Sequence, residues 1–210
     1  MIRGYIGRIG SGKTLNMVKD AIQYLKAGKT VYTNVPFHYT PSKKDAETLF
    51  PIVLNSQAET EKTILTAQNC LICIDEAAIV FSSYFFKSMT IDYMMRFAQA
   101  RKFNNDIFWA SQGFKHVLKR IRDLTNEVVK CKTASIFGKK IHFSGCYEPE
   151  VFEYNLWTNP QQLKNYQIRP NIPDFSLPKY YPMFDTYHVI KYSAIGDQLK
   201  KTTSTANRYD

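Results

Sequence analysis

Between Ile2 and Leu25 the chain runs as a short apolar segment, a glycine-rich bend and a helix-patterned stretch, and no other feature narrows the possible folds as much. Ile2, Tyr5 and Ile6 suit a strand. Leu15, Val18, Ala21, Ile22 and Leu25 fall at i, i+3, i+6, i+7 and i+10, which is one helix face. Between them Gly7-Arg8-Ile9-Gly10-Ser11-Gly12-Lys13-Thr14 satisfies G-x-x-x-x-G-K-[ST]. The glycines admit backbone conformations closed to other residues, so successive N–H groups can turn inward around a polyphosphate. A helix opening near Lys13 adds its unpaired N–H groups and the positive end of its dipole. An ordinary glycine turn before a lysine has the same letters. With glycine near 7% of residues, a chance match in a chain of this length is on the order of 1%. The stretch reads as the phosphate-binding loop (Walker A) of a nucleoside triphosphate site. Gly7, Gly10, Ser11, Gly12, Lys13, Thr14 and Leu15 surround ATP, Lys13 reaches the β- and γ-phosphates, and the Thr14 hydroxyl holds Mg²⁺.

The 210 residues suffice for one substantial core, so one domain with appendages is expected. A formal charge of +10 points to an anionic partner, nucleic acid or a membrane surface. Cys70 and Cys73 form a C-x-x-C, but they lie in an apolar run, Cys70-Leu-Ile-Cys-Ile74, that reads as a buried strand. A spacing of three puts their side chains on opposite faces, unlike a zinc knuckle, so small core residues in a reducing compartment are expected. The first residues already suit the strand of the loop, so no secretory signal is expected. No apolar run approaches the roughly 18 residues that span a bilayer, so a soluble, or at most peripheral, chain is expected.

Further along, Lys29–Val35 suits a second strand after an Ala27-Gly28 helix stop, and Pro36 ends it. Residues 37–63 are irregular and polar, with a short helix expected at Ser42–Leu49 and a short element at Ile64–Gln68. Cys70–Ile74 is the third strand, Ile91–Phe103 a helix with Met94, Phe97, Ala98 and Arg101 near one face, and Asp106–Ser111 the fourth strand. Lys115–Asp123 suits a helix and Glu127–Cys131 a strand, followed by a hairpin of Lys132–Phe137 and Lys140–Gly145 about Gly138. Alternating strand and helix implies an α/β fold, a mostly parallel central sheet flanked by helices. From Glu148 the texture changes: six of the nine prolines lie there among frequent Tyr and Phe. The division expected is a P-loop ATPase core at 1–147 and an extended arm at 148–210 on the core or a neighbouring subunit. Roughly the last ten residues are expected to be flexible.

A phosphate-binding loop needs a carboxylate to place its metal. Leu71-Ile-Cys-Ile-Asp75-Glu76 has the shape required, an apolar strand ending in acids (Walker B). Asp75 would hold Mg²⁺, commonly through water, and Glu76 would act as general base on the attacking water. A mere acidic turn looks the same in isolation. A base for water favours hydrolysis over transfer to a small acceptor. Gln112, at the tip of the fourth strand, is the candidate to contact the γ-phosphate or orient water. Charge developing on the γ-phosphoryl group calls for an arginine, often from a neighbouring subunit. Arg101, Arg120 and Arg122 are candidates, each with a plain alternative as a solvated or nucleic-acid-facing charge.

In this order the motifs resemble the zonular occludens toxin-like family, which includes assembly ATPases of filamentous phages. The likeness rests on the glycine loop, Val31-Tyr-Thr-Asn-Val35, Cys73-Ile-Asp-Glu76, Ala100-Arg-Lys-Phe-Asn-Asn-Asp106 before Ser111-Gln112, Ile121-Arg122, and Phe184-Asp-Thr-Tyr187. It covers about residues 1–190. The wider group is the FtsK–HerA superfamily of P-loop ATPases, with the genome-packaging ATPases of membrane-containing viruses. The resemblance implies rings, often hexamers, that move double- or single-stranded DNA with ATP. The phage proteins continue into a transmembrane helix and outer domain that this sequence does not show, so a soluble packaging motor docking on a capsid or membrane vertex is expected. It would be peripheral to the capsid or membrane, or virion-associated.

Two basic segments agree with a DNA partner: Lys115, His116, Lys119, Arg120 and Arg122, then Lys130, Lys132, Lys139 and Lys140. In a ring they could meet phosphates without reading sequence. The leading expectation is therefore a DNA-stimulated ATPase that packages a viral genome. The alternatives are an assembly or extrusion ATPase with a membrane partner, a P-loop small-molecule kinase, and a non-enzymatic nucleotide-binding scaffold. Against the kinase stand the Asp-Glu pair, the basic charge and the lack of an arginine-rich lid.

Overall fold

The computed structural model describes residues 1–41, 47–81, 91–136, 139–158 and 166–184. Eight strands form one sheet: β1 (Ile2–Ile6), β2 (Thr30–Thr33), β3 (Ile52–Val53), β4 (Cys70–Ile74), β5 (Asp106–Ser111), β6 (Glu127–Ile136), β7 (Lys139–Tyr147) and β8 (Gln167–Asp174), in the spatial order β3-β2-β4-β5-β1-β6-β7-β8. From β3 to β6 every pairing is parallel; β7 and β8 run antiparallel to their neighbours. This is the α/β fold with a mostly parallel, helix-flanked sheet that the alternating pattern implies.

All five residues of β4 are buried, because a central parallel strand is covered on both faces and so carries a continuous apolar run. One face holds α1 (Lys13–Lys26), whose Leu15, Val18, Ala21 and Ile22 pack on Tyr5, Leu71, Phe108 and Ala110. The other holds α2 (Gln57–Thr66), α3 (Ala77–Val80), α4 (Ile91–Ala98), α5 (Lys119–Asp123) and α6 (Pro149–Thr158) over Ile72, Ile107 and Trp109. Strand alternation sends Cys70 to one layer and Cys73 to the other. All four cysteines are buried and free, and burial pushes the Cys73 thiol pKa well up.

Several boundaries move for local reasons. The second strand spans Thr30–Thr33 and not Lys29–Val35, because the Val35 N–H bonds to the Thr33 hydroxyl (3.0 Å) and leaves the ladder. Helix α2 begins at Gln57, earlier than the short element expected at Ile64–Gln68. Ser56 Oγ accepts the Glu59 N–H at 3.1 Å, and Glu59 reaches back to the Asn55 N–H at 2.7 Å, close to a capping box. The helix expected over Ile91–Phe103 ends at Ala98 and tightens into a 3-10 turn, Ala100–Phe103. Its buried stripe is Tyr93 and Phe97, which pack on Phe81. The segment Lys115–Asp123 splits into a 3-10 turn, Phe114–His116, and α5.

Past Tyr147 the chain forms α6 and β8. The prolines 170 and 173 are tolerated because β8 is an edge strand with register shifts. A 3-10 segment, Leu177–Met183, then lays Leu177 and Tyr180 against the α1 layer. The expected helix at 42–49 falls mainly outside the described residues, as do Gly138, Asp185–Tyr187 and the last ten residues. Among the described residues no helix is long and apolar enough to cross a membrane.

Candidate nucleotide site

Strand β5 lies between β1 and β4, with Ile6 level with Ser111 and Trp109 level with Ile74. Because the three run parallel, their carboxyl ends open on one edge of the sheet, and the loops that follow meet there. The first of these is the glycine loop. Its entry is fixed by the Gly7 N–H on the Ser111 carbonyl (3.3 Å), and its bend by the Ser11 N–H on the Arg8 carbonyl (3.0 Å). A Cβ on Gly7 would stand 2.2 Å from Ser11 Oγ and 2.6 Å from the Cys131 carbonyl, so only glycine fits. Gly12 takes φ 82° and ψ 19°, the left-handed region, and α1 starts at the next residue. Asn16 donates to the Gly12 carbonyl from both backbone (2.9 Å) and side chain (2.8 Å), which ties the first turn to the loop.

The polar groups of the loop suit a phosphate. Ser11 Oγ is buried and has no hydrogen-bond partner among the described residues, an arrangement that costs about 1–3 kcal/mol unless an acceptor arrives. Lys13 is buried, with its ammonium directed to Glu76 Oε1 at 3.3 Å. The Leu15 side chain is buried in the α1 layer, where it anchors the first turn of the helix.

The second loop brings the carboxylates. Thr14 Oγ1 donates to Asp75 Oδ2 at 2.8 Å, although the two are 61 positions apart. Burial pushes the Asp75 carboxyl pKa up; Lys13, the Thr14 hydrogen bond and the Glu76 N–H oppose it, and the net direction is upward. A divalent cation between Thr14 and Asp75 would reverse that balance. Its remaining positions would fall to phosphate and water, since no cluster of three or more His, Cys, Asp or Glu that could hold a metal occurs among the described residues. Glu76 adopts φ 48°, rare for a residue with a side chain, and its N–H is held by Asp75 Oδ1 at 2.9 Å. The kink turns the Glu76 side chain toward the loop, where it remains about 30% exposed and open to water.

Two supports of this site were not assigned from sequence. Asn34, buried at the end of β2, accepts the Asp75 N–H (2.8 Å) and donates to the Asp75 carbonyl (2.9 Å), clamping the acidic residue from the side. A polar residue closing an apolar strand was the available signal. Behind the glycine loop, Thr133 Oγ1 donates to the Gly10 carbonyl at 3.1 Å and sits 3.0 Å from His142 Nδ1. Nothing local in the sequence marks that pair.

The outer candidates separate. Gln112 is exposed and follows Ser111 at the tip of β5, between the glycine loop and the acidic pair. Arg101 is exposed at the opposite end of β5, lining a cavity with Met1, Ile2 and Asn126. A six-residue strand spans roughly 17 Å, so Arg101 cannot serve its own chain's loop. Arg120 is exposed on α5. Arg122 packs inward instead of standing exposed like Arg101 and Arg120. It is buried, pairs with Glu153 on α6 at 2.9 Å and lies over the Phe114 ring, because the single turn of α5 points Ile121 and Arg122 inward together. Of the basic segments, Lys115, His116, Lys119, Lys132 and Lys140 are exposed, while Lys130 is half-buried over Phe152, which lowers its pKa.

Comparison with known proteins bears on the same residues. The family model described as zonular occludens toxin (Zot) matches residues 1–155, which include the glycine loop, Asn34, the acidic pair and Gln112. The N-terminal domain of zonular occludens toxin from Neisseria meningitidis superposes with a TM-score of 0.53 at 17% identity, covering 88% of this chain and 98% of that one. This likeness is one of fold. The genome-packaging NTPase B204 of Sulfolobus turreted icosahedral virus 2, in complex with AMPPCP, gives a TM-score of 0.47 at 16% identity over 61% of this chain and 74% of that one. No curated protein matches by sequence.

Proposed function

From the premise that the chain belongs to the zonular occludens toxin family, with the match spanning residues 1–155, we propose that it is an ATP-hydrolysing motor that moves DNA and packages a viral genome into a capsid. The observation that carries the hydrolytic half is the convergence of Lys13, Thr14, Asp75 and Glu76 from the segments that follow two separate strands, with contacts of 2.8 and 3.3 Å. ATP lies along the glycine loop with its γ-phosphate at Lys13. Thr14 and Asp75 would hold Mg²⁺, which would supply charge neutralisation at the phosphates. Glu76 takes a proton from water as the water oxygen bonds to the γ-phosphorus. The bond to the bridging oxygen breaks, and ADP leaves. Gln112 orients that water.

The developing charge is met by an arginine of a neighbouring subunit, Arg101 or Arg120, which makes the working form a ring of identical chains. The placement of Arg101 at the far edge of the sheet supports a contribution in trans. Exposed Lys115, Lys119 and Lys132 provide phosphate contacts for DNA without sequence readout. The motor works in the host cytoplasm, docked on a capsid or membrane vertex. A second reading, an assembly or extrusion ATPase acting with a membrane partner, draws support from the family match itself.

The test is ATP hydrolysis with and without double-stranded DNA over a salt series. The motor reading expects Mg²⁺-dependent turnover, stimulated by DNA and less so as salt rises. DNA stimulation that does not vary with salt contradicts the phosphate contacts. Phosphate transfer to a metabolite supports a kinase, and a ring preparation without turnover supports a nucleotide-binding scaffold.

A further inference from the structure

His142 stands behind the phosphate-binding loop on β7, directly across from Thr133 on β6. Residues opposite each other in an antiparallel pair share a face of the sheet. Here that face is turned to the loop, for a Cβ on Gly12 would meet His142 Nδ1 at 2.7 Å. His142 is 2% exposed, and its second nitrogen, Nε2, lies 2.6 Å from the hydroxyl of Tyr181 in the Leu177–Met183 segment.

The donors and acceptors fix a direction along this row. The Gly10 carbonyl can only accept, so the Thr133 hydroxyl spends its proton there, at 3.1 Å. Thr133 Oγ must then accept from His142, which places the ring proton on Nδ1 at 3.0 Å. Nε2 is left to accept from the Tyr181 O–H. Burial pushes the His142 pKa below its ordinary value, against an opposing hydrogen bond to the backbone of Ser11 in the same loop. Three hydrogen bonds thus run one way from the C-terminal segment to the loop, and such chains polarise cooperatively.

We propose that His142 is a positioning residue for the triphosphate: it holds the Gly10–Gly12 stretch in its phosphate-receiving shape and ties that shape to the segment Leu177–Met183. The inference rests on reading the loop as a phosphate site. Gly10 and Gly12 both sit at positive φ and have little intrinsic preference for one conformation, so the loop needs an external brace. The brace keeps the Gly10 carbonyl on the hairpin side, where it does not face phosphate oxygens. Since coupling between sites is reciprocal, nucleotide bound in front of the loop steadies the segment behind it by the same factor.

The test measures binding of a non-hydrolysable ATP analogue, steady-state hydrolysis, and hydrogen exchange of residues 177–184 with and without the analogue, on the full chain. Thr133→Val keeps shape and removes the proton given to Gly10. It is expected to weaken the analogue and raise KM for ATP about 5–10-fold, with kcat within about twofold. His142→Leu should do at least as much, and His142→Asn, which restores a donor toward Thr133, should recover part of the loss. Tyr181→Phe should weaken binding about 2–3-fold. In the wild type the analogue slows exchange over 177–184, and in Thr133→Val it does not. If His142→Leu fails to fold, the isosteric Thr133→Val carries the test. Folded variants that bind within twofold of wild type and keep the exchange response would overturn the inference. Wild-type protein that binds no nucleotide would overturn the phosphate-site reading itself, and this inference with it.

Discussion

The two halves of the sheet divide the labour of the site. Strands β1, β4 and β5 run parallel, are buried on both faces, and deliver Lys13, Thr14, Asp75 and Glu76 to one edge. The flank of β6, β7 and β8 reverses direction at β7, and its described residues include exposed lysines and a buried histidine. Its described residues brace the glycine loop from behind, through Thr133 and His142. Parallel strands concentrate chemistry because their ends coincide. An antiparallel flank is better suited to support, since its side chains can reach the back of a loop that the parallel strands only approach end-on.

Substitutions on the two sides should therefore fail in different ways. The largest effect is expected from Lys13→Ala in the parallel half. It removes the buried cation of the glycine loop and its pairing with Glu76, and should weaken triphosphate binding about 100-fold, or roughly 3 kcal/mol, by calorimetric titration. Next comes Gly4→Ala, also in the parallel half but remote from phosphate. Its methyl would stand 2.4 Å from the fully buried Trp109 ring. The expected cost is about 3 kcal/mol, seen as a melting temperature lower by roughly 10 °C, with nucleotide affinity retained. A folded Gly4→Ala chain with weakened binding would blur the division between packing and site.

Asn34→Leu strips both hydrogen bonds from the Asp75 backbone and should cost about 2 kcal/mol in denaturant unfolding, together with a weaker dependence on Mg²⁺. The smallest effect belongs to the flank. Burial would raise the Asp174 pKa, but Lys19 and Ser176 outweigh it and hold the carboxyl down at about 2, against 3.8 ordinarily. A depressed acid stabilises the fold above its unfolded pKa, and that contribution fades as pH falls from about 4 to 2. Asp174→Asn should therefore cost at most about 1 kcal/mol at pH 7, the pair being partly solvated, less at pH 2 where the carboxyl is half protonated, and nothing well below that.

The parallel half was also the legible half. Cys70–Ile74 and Asp106–Ser111 form the strands their apolar runs announce, because burial on both faces writes itself into consecutive residues. The glycine loop and the Asp-Glu pair are local words, readable without partners. The inward placement of Arg122 was not legible because a five-residue helix is too short to show a period, and its partner Glu153 lies 31 positions away. Asn34 was visible as part of a motif but not as a clamp, since its partner is 41 positions on. Thr133, His142 and Tyr181 left no trace at all. Their meeting depends on hairpin register and on a contact across 39 positions, and neither has a periodic signature.

The central claim is that Glu76, held beside Lys13 by its left-handed kink, activates water at a bound triphosphate. The most direct test is single-turnover ATP hydrolysis by wild type and Glu76→Gln, with nucleotide binding measured in parallel. Glu76→Gln should bind ATP within a few-fold of wild type and hydrolyse it at least about 100-fold more slowly. A Glu76→Gln protein that hydrolyses ATP at the wild-type rate would contradict the account.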